Sequence, residues 1–376
     1  MADSRATRIM STWIVGFMLG APLLACSDIL GLDFSPDKLA LDAGADASGA
    51  PRWKPRCATG EAGVTDCGSS PNKESCCTTL EVEGGTFFRT YDESPQDSFV
   101  FVVPDAGPAG EADPATVSTF LLDKYDVTVG RFRQFVNAWN GGEGWKANPG
   151  SGRHTHLNDG GGLENAGAPA DAGTVFETGW VAIDRFLVEP TNATLACDPY
   201  ATWTVEPGEN ENRPINCVRW EEAYAFCIWD GGFLPSEAEW EYAAAGGSQQ
   251  RVFPWGSTDP GTANQYAIYG CYYPPGSPGF MCSGVSNIAA VGTADAGAGL
   301  FGQLDLTGNM YQWTLDYFAT YVACADCAYL TPTASRVIRG GSFSDDEATL
   351  FSPFRISYPE AMDRDPDIGF RCARAP

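Results

Sequence analysis

The stretch RGGSFSDDEATLFSPFR, Arg339–Arg355, decides how this chain is read. Two glycines lead into a serine at Gly340-Gly341-Ser342, an acidic run follows at Asp345, Asp346 and Glu347, and the segment closes on Arg355. Ser342, Asp345, Asp346, Glu347 and Arg355 are the candidate pocket residues. The acidic run offers hard oxygens, suited to a cation or a basic ligand; the plainer alternative is a solvated acidic loop. No cysteine occurs between Cys327 and Cys372, so the segment holds no soft thiolate.

Working outward, the chain has 376 residues, 44% of them hydrophobic and 11 of them Trp, with a net charge of −25. That is enough apolar material for one large domain or two small ones. The charge excludes a nucleic-acid partner, because phosphates are repelled. It suits either divalent cations or a soluble extracellular surface.

Arg5 and Arg8 precede an apolar run, Ile9–Ala25, that is short for a membrane span. Residues 1–25 therefore read as an export signal. The run ends in Leu23-Leu24-Ala25-Cys26, which resembles a bacterial lipoprotein signal, with lipid on Cys26 anchoring the chain in the cell envelope without a spanning helix. Ordinary secretion is the alternative. Residues 26–55 are rich in Ala, Asp and Gly and read as a flexible tether.

Residues 56–80 carry Cys57, Cys67, Cys76 and Cys77 among few hydrophobics. They read as a small stapled cap whose connectivity stays open; a zinc site is the sharper alternative. The chain has 13 cysteines, and setting Cys26 aside leaves an even 12, as disulfides in an exported protein require.

Residues 81–376 form the globular part. Pro104–Thr116, Asn158–Thr174 and Ala294–Leu300 read as surface loops inserted into it. Apolar spacing predicts helices over Val127–Trp139 and Trp220–Trp229. A third is predicted over Pro235–Gly247, where Ser236 and Glu239 make a capping box and Gly246-Gly247 stop the helix. The remainder is short, turn-broken and aromatic-rich, which gives an α+β class with much irregular structure.

Five blocks then occur in order: RPINCVRWEEAYAFCIWDGGFLPSEAEWEYAAAGG (Arg213–Gly247), FPWG (Phe253–Gly256), LDLTGNMYQWTLDYF (Leu304–Phe318), RVIRGGSF (Arg336–Phe343) and DIGFRCA (Asp367–Ala373). Together they resemble the formylglycine-generating enzyme, or sulfatase-modifying factor, family over residues 81–376. The resemblance implies one compact, C-type-lectin-like, disulfide-rich domain low in regular structure. It also implies a copper(I) site of two cysteines just after the Gly-Gly-Ser tripeptide. Those positions fall at Asp345 and Leu350 here, and hard carboxylates do not replace soft thiolates for copper(I). Copper-dependent formylglycine generation is therefore not expected.

The resemblance further implies a structural calcium held by side-chain oxygens of Asp305 and Gln312 and by the carbonyls of Gly308 and Met310. A second calcium site would begin near Asn264, but its other ligands fall in a longer loop. A Cys227–Cys372 disulfide follows from the same resemblance. Proximity suggests Cys197–Cys217, Cys271–Cys282 and Cys324–Cys327. The last lies in a CxxC that lacks the helix start a redox motif uses.

His154 and His156, alternating in a Gly-rich loop, are the only histidines. With a carboxylate they would make a non-haem iron site; the plainer reading is two exposed loop residues. Glu237, Glu239 and Glu241 read as scaffold on a capped helix rather than as an acid–base pair. The expected function is that of a cell-envelope lipoprotein acting as a binding, structural or regulatory module, with an extracellular protein, peptide or glycan as ligand. The alternative is an oxidoreductase with a non-cysteine metal site.

Overall fold

The structure is a computed structural model that describes residues 62–69, 71, 73–91, 111–181, 184–359 and 364–376. The export signal, Cys26, the tether and Cys57 lie outside the described residues. No helix among those described is long and apolar enough to cross a membrane.

Four small sheets carry the regular structure. In the first, β1 (Thr79–Val82) and β12 (Ala373–Arg374) flank β4 (Phe120–Asp123), both antiparallel to it. The C-terminus thus closes onto the start of the domain. The second pairs β2 (Gly85–Thr90) with β3 (Ala112–Val117), and β3 with β7 (Cys324–Ala325). A third joins β5 (Glu164–Asn165) to β8 (Cys327–Ala328). The fourth runs β10 (Arg355–Pro359), β9 (Ser335–Arg339), β6 (Tyr311–Tyr317), β11 (Ile368–Gly369). Its register sets Arg355 beside Arg339, and Arg339 beside Gln312. Residues in register share a face, so three long polar side chains stand in one row.

The predicted helices form, slightly shortened. α1 spans Val129–Trp139, where the Thr128 hydroxyl accepts from Arg131 N at 3.2 Å and Asn140 ends the helix in the left-handed region at φ 49°. α2 is a single turn, Asn192–Leu195. α3 spans Trp220–Trp229, and the Glu222 carboxylate accepts from Arg219 N at 3.2 Å. All of α3 except Ile228 is buried, so it lies inside the domain rather than facing it with one stripe. α4 spans Glu237–Ala244 with the predicted capping box, Ser236 N donating to Glu239 at 2.7 Å and Glu239 N to Ser236 at 3.2 Å. Gly246 then takes φ 66°, a conformation open to glycine that stops the helix.

Aromatic packing centres the larger core. Phe132 and Phe135 of α1 meet Phe226 of α3 at ring centroids 5.7 and 5.8 Å apart, and Phe226 meets Phe370 at 5.4 Å. A second cluster gathers Phe87, Val117, Phe120, Trp240 and Tyr242 around α4. Two expected loops are partly otherwise: Ala112–Thr116 lies in β3, because its backbone completes a ladder with β2, and Glu164–Asn165 within Asn158–Thr174 forms β5. The cap also packs into the domain. Thr128 donates to Gly63 O, and Arg131 donates to Cys76 O at 3.2 Å.

Five disulfides are described: Cys67–Cys76, Cys197–Cys217, Cys227–Cys372, Cys271–Cys282 and Cys324–Cys327. Cys77 is disulfide-bonded as well. Cys227–Cys372 ties α3 to the C-terminal strand across 145 positions, for which chain entropy predicts about 5 kcal/mol of stabilisation. Replacing both cysteines by Ser should lower the unfolding free energy by an amount approaching that value, read as a lower denaturant midpoint. A midpoint that stays in place would show that the bond does not hold the fold.

Candidate functional site

The Gly-Gly-Ser turn buries its serine because both glycines are needed. Gly340 (φ 100°) and Gly341 (φ 72°) occupy backbone that side chains rarely adopt. A Cβ on Gly340 would meet Leu306 O at 2.6 Å, and one on Gly341 would meet Thr349 Oγ1 at 2.3 Å. Ser342 is fully buried. Its N and Oγ donate to Asp345 Oδ2 at 3.0 and 2.8 Å, and its Oγ lies 3.0 Å from Ser344 Oγ. Ser344 Oγ in turn donates to Asp367 Oδ2 at 2.9 Å. The turn thus gathers two half-buried carboxylates bridged by two hydroxyls, with Tyr311 hydrogen-bonded to Asp345.

Burial pushes the Asp367 carboxyl up to about 6, helped by repulsion from Asp365 and Asp345 and opposed by its serine bonds. Burial likewise raises Asp345, against the hydrogen bonds from Ser342. Such a site accepts protons and hydrogen-bond donors; it holds no nucleophilic thiol.

The rest of the predicted pocket does not converge there. Asp346 turns back to accept from Ala348 N at 3.1 Å, starting a short 3-10 turn over Glu347–Leu350. Glu347 is raised by burial and then by repulsion from Asp259 and Asp346. Leu350 is fully buried beside Phe253, Tyr269 and Phe351. The two positions matching the copper ligands therefore hold a pocket carboxylate and a core aliphatic side chain, which do not fit copper(I).

Arg355 is scaffold, not pocket. From its place in the sheet it reaches Glu237, Nη2 to Oε2 at 3.0 Å, while its neighbour Arg339 donates Nε to Glu237 Oε1 at 2.9 Å and Nη2 to Glu241 Oε2 at 2.5 Å. Tyr321 OH accepts from Arg339 at 2.6 Å. Burial is the largest influence on Glu237 and raises it, yet Arg355 and Arg339 together bring it below the ordinary value. Glu241 is pushed by burial up to about 7.

The histidines correct their plainer reading: neither is an exposed loop residue. His154 is fully buried. Its Nδ1 lies 3.2 Å from both oxygens of Glu177, and its Nε2 lies 3.2 Å from Glu239. Burial alone would lower its pKa, but Glu239 and Glu177 outweigh that and raise it to about 10. It is an imidazolium with both N–H groups donating, so it has no lone pair for iron. His156 stacks on Phe233 at 5.7 Å instead, and among the described residues no three His, Cys, Asp or Glu gather as metal ligands. Glu177 lies 23 positions from His154, and no motif in the sequence joins them.

The calcium residues come together but do not fit a calcium. Trp240 Nε1 and Arg371 Nε each donate to Gln312 Oε1 at 2.7 Å. Two donors fix the oxygen on that side, so the amide nitrogen faces the turn and donates to Asp305 O at 2.8 Å. Arg371 Nη2 also donates to Asp305 O at 2.7 Å and to Leu304 O at 2.9 Å. Gln312 thus turns N–H groups, not the side-chain oxygen a calcium would take, towards the Asp305 backbone. Asp305 Oδ2 accepts from Gly292 N at 2.6 Å, and burial raises this carboxyl to about 6. Gly308 N donates to Gly340 O at 2.8 Å, and Met310 is buried. At Asn264 a single buried oxygen, Oδ1, has no partner.

This geometry agrees with what the chain is similar to. Residues 65–376 match the family model for the sulfatase-modifying factor enzyme 1-like domain. The formylglycine-generating enzyme of Thermomonospora curvata is 28% identical over 320 residues, covering 79% of this chain and 93% of that protein. That of Mus musculus is 27% identical, covering 69% of this chain and 66% of that protein. A Bos taurus relative named inactive C-alpha-formylglycine-generating enzyme 2 is 34% identical over 43% of this chain and 50% of its own length. Among solved structures, PvdO from Pseudomonas aeruginosa superposes with a TM-score of 0.51 at 20% identity, covering 85% of this chain and 100% of that one. The chain belongs to the sulfatase-modifying factor domain family, and its fold is that of the formylglycine-generating enzymes.

Two outcomes follow. Glu237→Gln removes the anion shared by two buried arginines and should cost about 3–5 kcal/mol in denaturant unfolding; a loss below 1 kcal/mol, roughly that of a surface pair, would contradict the shared-anion geometry. For His154 the folded pKa is raised. Its contribution is therefore whole below the unfolded value of about 6.5 and is lost as pH rises through about 10. Wild-type melting temperature should fall across that window, and His154→Gln should flatten the fall. Parallel profiles for the two proteins would argue against the imidazolium.

Proposed function

We propose that this protein is an exported, lipid-anchored binding member of its family, one that does not convert cysteine to formylglycine. One observation carries the reading: every cysteine among the described residues is in a disulfide, and the pocket after Gly340-Gly341 presents Ser342, Asp345, Ser344 and Asp367 oxygens. Two soft thiolates are what copper(I) oxidation of a cysteine requires. A half-exposed cluster of carboxylates and hydroxyls binds donors instead: a protein, peptide or glycan group carrying N–H or O–H.

The disulfides indicate an oxidising, extracellular or periplasmic compartment. The anchor at Cys26 is the finer part of the proposal and rests on Leu23-Leu24-Ala25-Cys26. Metabolic labelling with a fatty-acid analogue should mark wild type and not Cys26→Ser; equal labelling rules the anchor out.

The oxidase question is decided by incubating the protein with copper, reductant, oxygen and a sulfatase-type cysteine peptide. Mass spectrometry should find the peptide without the aldehyde. Copper-dependent aldehyde from the wild-type chain would overturn the binding reading.

A further inference from the structure

Phe280 and Met281 are 82% and 80% exposed, the most exposed large hydrophobic side chains among the described residues. They end a loop closed by the Cys271–Cys282 disulfide. Large apolar groups held in water mark an interaction surface when the backbone spends energy to keep them there. Here it does. Phe280 sits at φ 63°, in the left-handed region that a bulky residue avoids, and its N–H is held by Gly270 O at 2.7 Å.

The loop is stiff throughout. Ser277 Oγ donates to Cys271 O at 2.7 Å, Asn264 Nδ2 to Tyr272 O at 3.1 Å, and Tyr200 OH to Cys282 O at 3.0 Å. Tyr272 packs between two glycines: a Cβ on Gly270 would meet its ring at 2.5 Å, and one on Gly279 at 2.2 Å. The rings of Tyr269, Tyr272 and Phe280 follow one another with centroids 5.4 and 5.7 Å apart, so the exposed tip continues inward as an aromatic row.

That row leads to the pocket. Gly270 N donates to Asp345 O at 2.7 Å and Cys271 N to Phe343 O at 2.8 Å, which fixes the loop to the segment after the Gly-Gly-Ser turn. Tyr269 OH donates to Gly261 O at 3.0 Å, two residues from Asp259, and its ring shares a cluster with Ala348 and Leu350, next to Asp346 and Glu347; Glu347 and Asp259 accordingly push its phenol up, after burial. None of these three carboxylates has an ion-pair partner among the described residues. A rigid apolar tip joined through Tyr272 and Tyr269 to segments with unpaired carboxylates is complementary to a chain carrying apolar and cationic side chains together. A net charge of −25 disfavours an anionic lipid surface as the occupant.

We propose that Phe280 and Met281, backed by Tyr272 and Tyr269, together with Asp259, Asp346 and Glu347 around the Tyr269 end of that row, form a preorganised docking surface for a basic polypeptide segment. It rests on the reading of the protein as a binding module and supplies the chemistry of the partner. Preorganisation matters because no loop entropy is lost when the partner arrives.

The test uses the full chain and three probes in fluorescence and sedimentation assays: a labelled peptide of alternating Lys and Leu, its counterpart with Glu for Lys, and vesicles of phosphatidylcholine with phosphatidylglycerol. The Lys peptide should bind, and the Glu peptide should not. Phe280→Ser with Met281→Ser should weaken that binding by about tenfold or more without moving the melting temperature, since both side chains are exposed. Asp346→Asn with Glu347→Gln should weaken it and reduce its salt dependence. Gly279→Ala, which displaces Tyr272, should weaken it too. Undiminished binding by the Phe280/Met281 variant would mean mere attraction to an acidic surface and overturns the proposal. So does failure to bind the Lys peptide, or vesicle binding that depends on the two side chains. Aldehyde formation plays no part in these readouts, so failure here and failure of the non-oxidase reading are told apart.

Discussion

One buried carboxylate, Glu237, organises the molecule. It opens the first turn of α4 and receives Arg339 and Arg355, which stand in register on adjacent strands. Its own N–H donates to Asp316 Oδ2 at 2.7 Å, which ties the same turn to β6. Two residues further on, Glu239 closes the capping box and accepts from His154. A helix N-terminus with its unpaired N–H groups favours negative charge, and here the surrounding elements supply the matching cations. Removing one member would leave buried charge uncompensated, whereas the set as a whole sits near balance.

This arrangement explains how a domain with so little regular structure stays ordered. With short strands, few backbone groups are satisfied by ladders, and side chains take over. Asn309 both donates to and accepts from the backbone of Ala289. Asn216 bonds Thr202, Tyr200 and Pro366. Arg371 reaches Gln312, Asp126 and four backbone carbonyls, those of Asp123, Lys124, Leu304 and Asp305. Arg371 and Gln312 thereby both bond the backbone carbonyl of Asp305. The disulfides secure the ends of these connections, with Cys227–Cys372 beside the pairing of β12 with β4.

The same scaffold leaves the segment after Gly341 free to vary. Its backbone is set chiefly by two positive-φ glycines packed against Leu306 and Thr349, and the Asp345 carboxylate adds a hydrogen bond from Ser342 N. A member of the family can therefore exchange thiolates for a carboxylate and an aliphatic side chain and keep its fold. What changes is chemistry: a soft metal site becomes a pocket of oxygens whose carboxyls burial holds above their ordinary range.

Much of the scaffold was legible in the sequence. The helix over Glu237–Ala244 follows from Ser236 and Glu239 alone, since a capping box is a local interaction. The five ordered motifs identified the fold, and the absence of cysteine between Cys327 and Cys372 left that segment without the soft thiolates copper(I) favours. The pairings depended on tertiary structure. His154 and Glu177 meet only because a loop folds back over Phe233. Asp346 and Glu347 diverge from Asp345 because a 3-10 turn starts at the first of them. Gln312 has its oxygen claimed by Trp240, 72 positions away, and by Arg371, 59 away, which no local pattern specifies. Residue types and local spacing determine which interactions are available; the direction of each side chain, and hence which groups share a site, is decided by contacts far apart in sequence that form only when the whole domain packs.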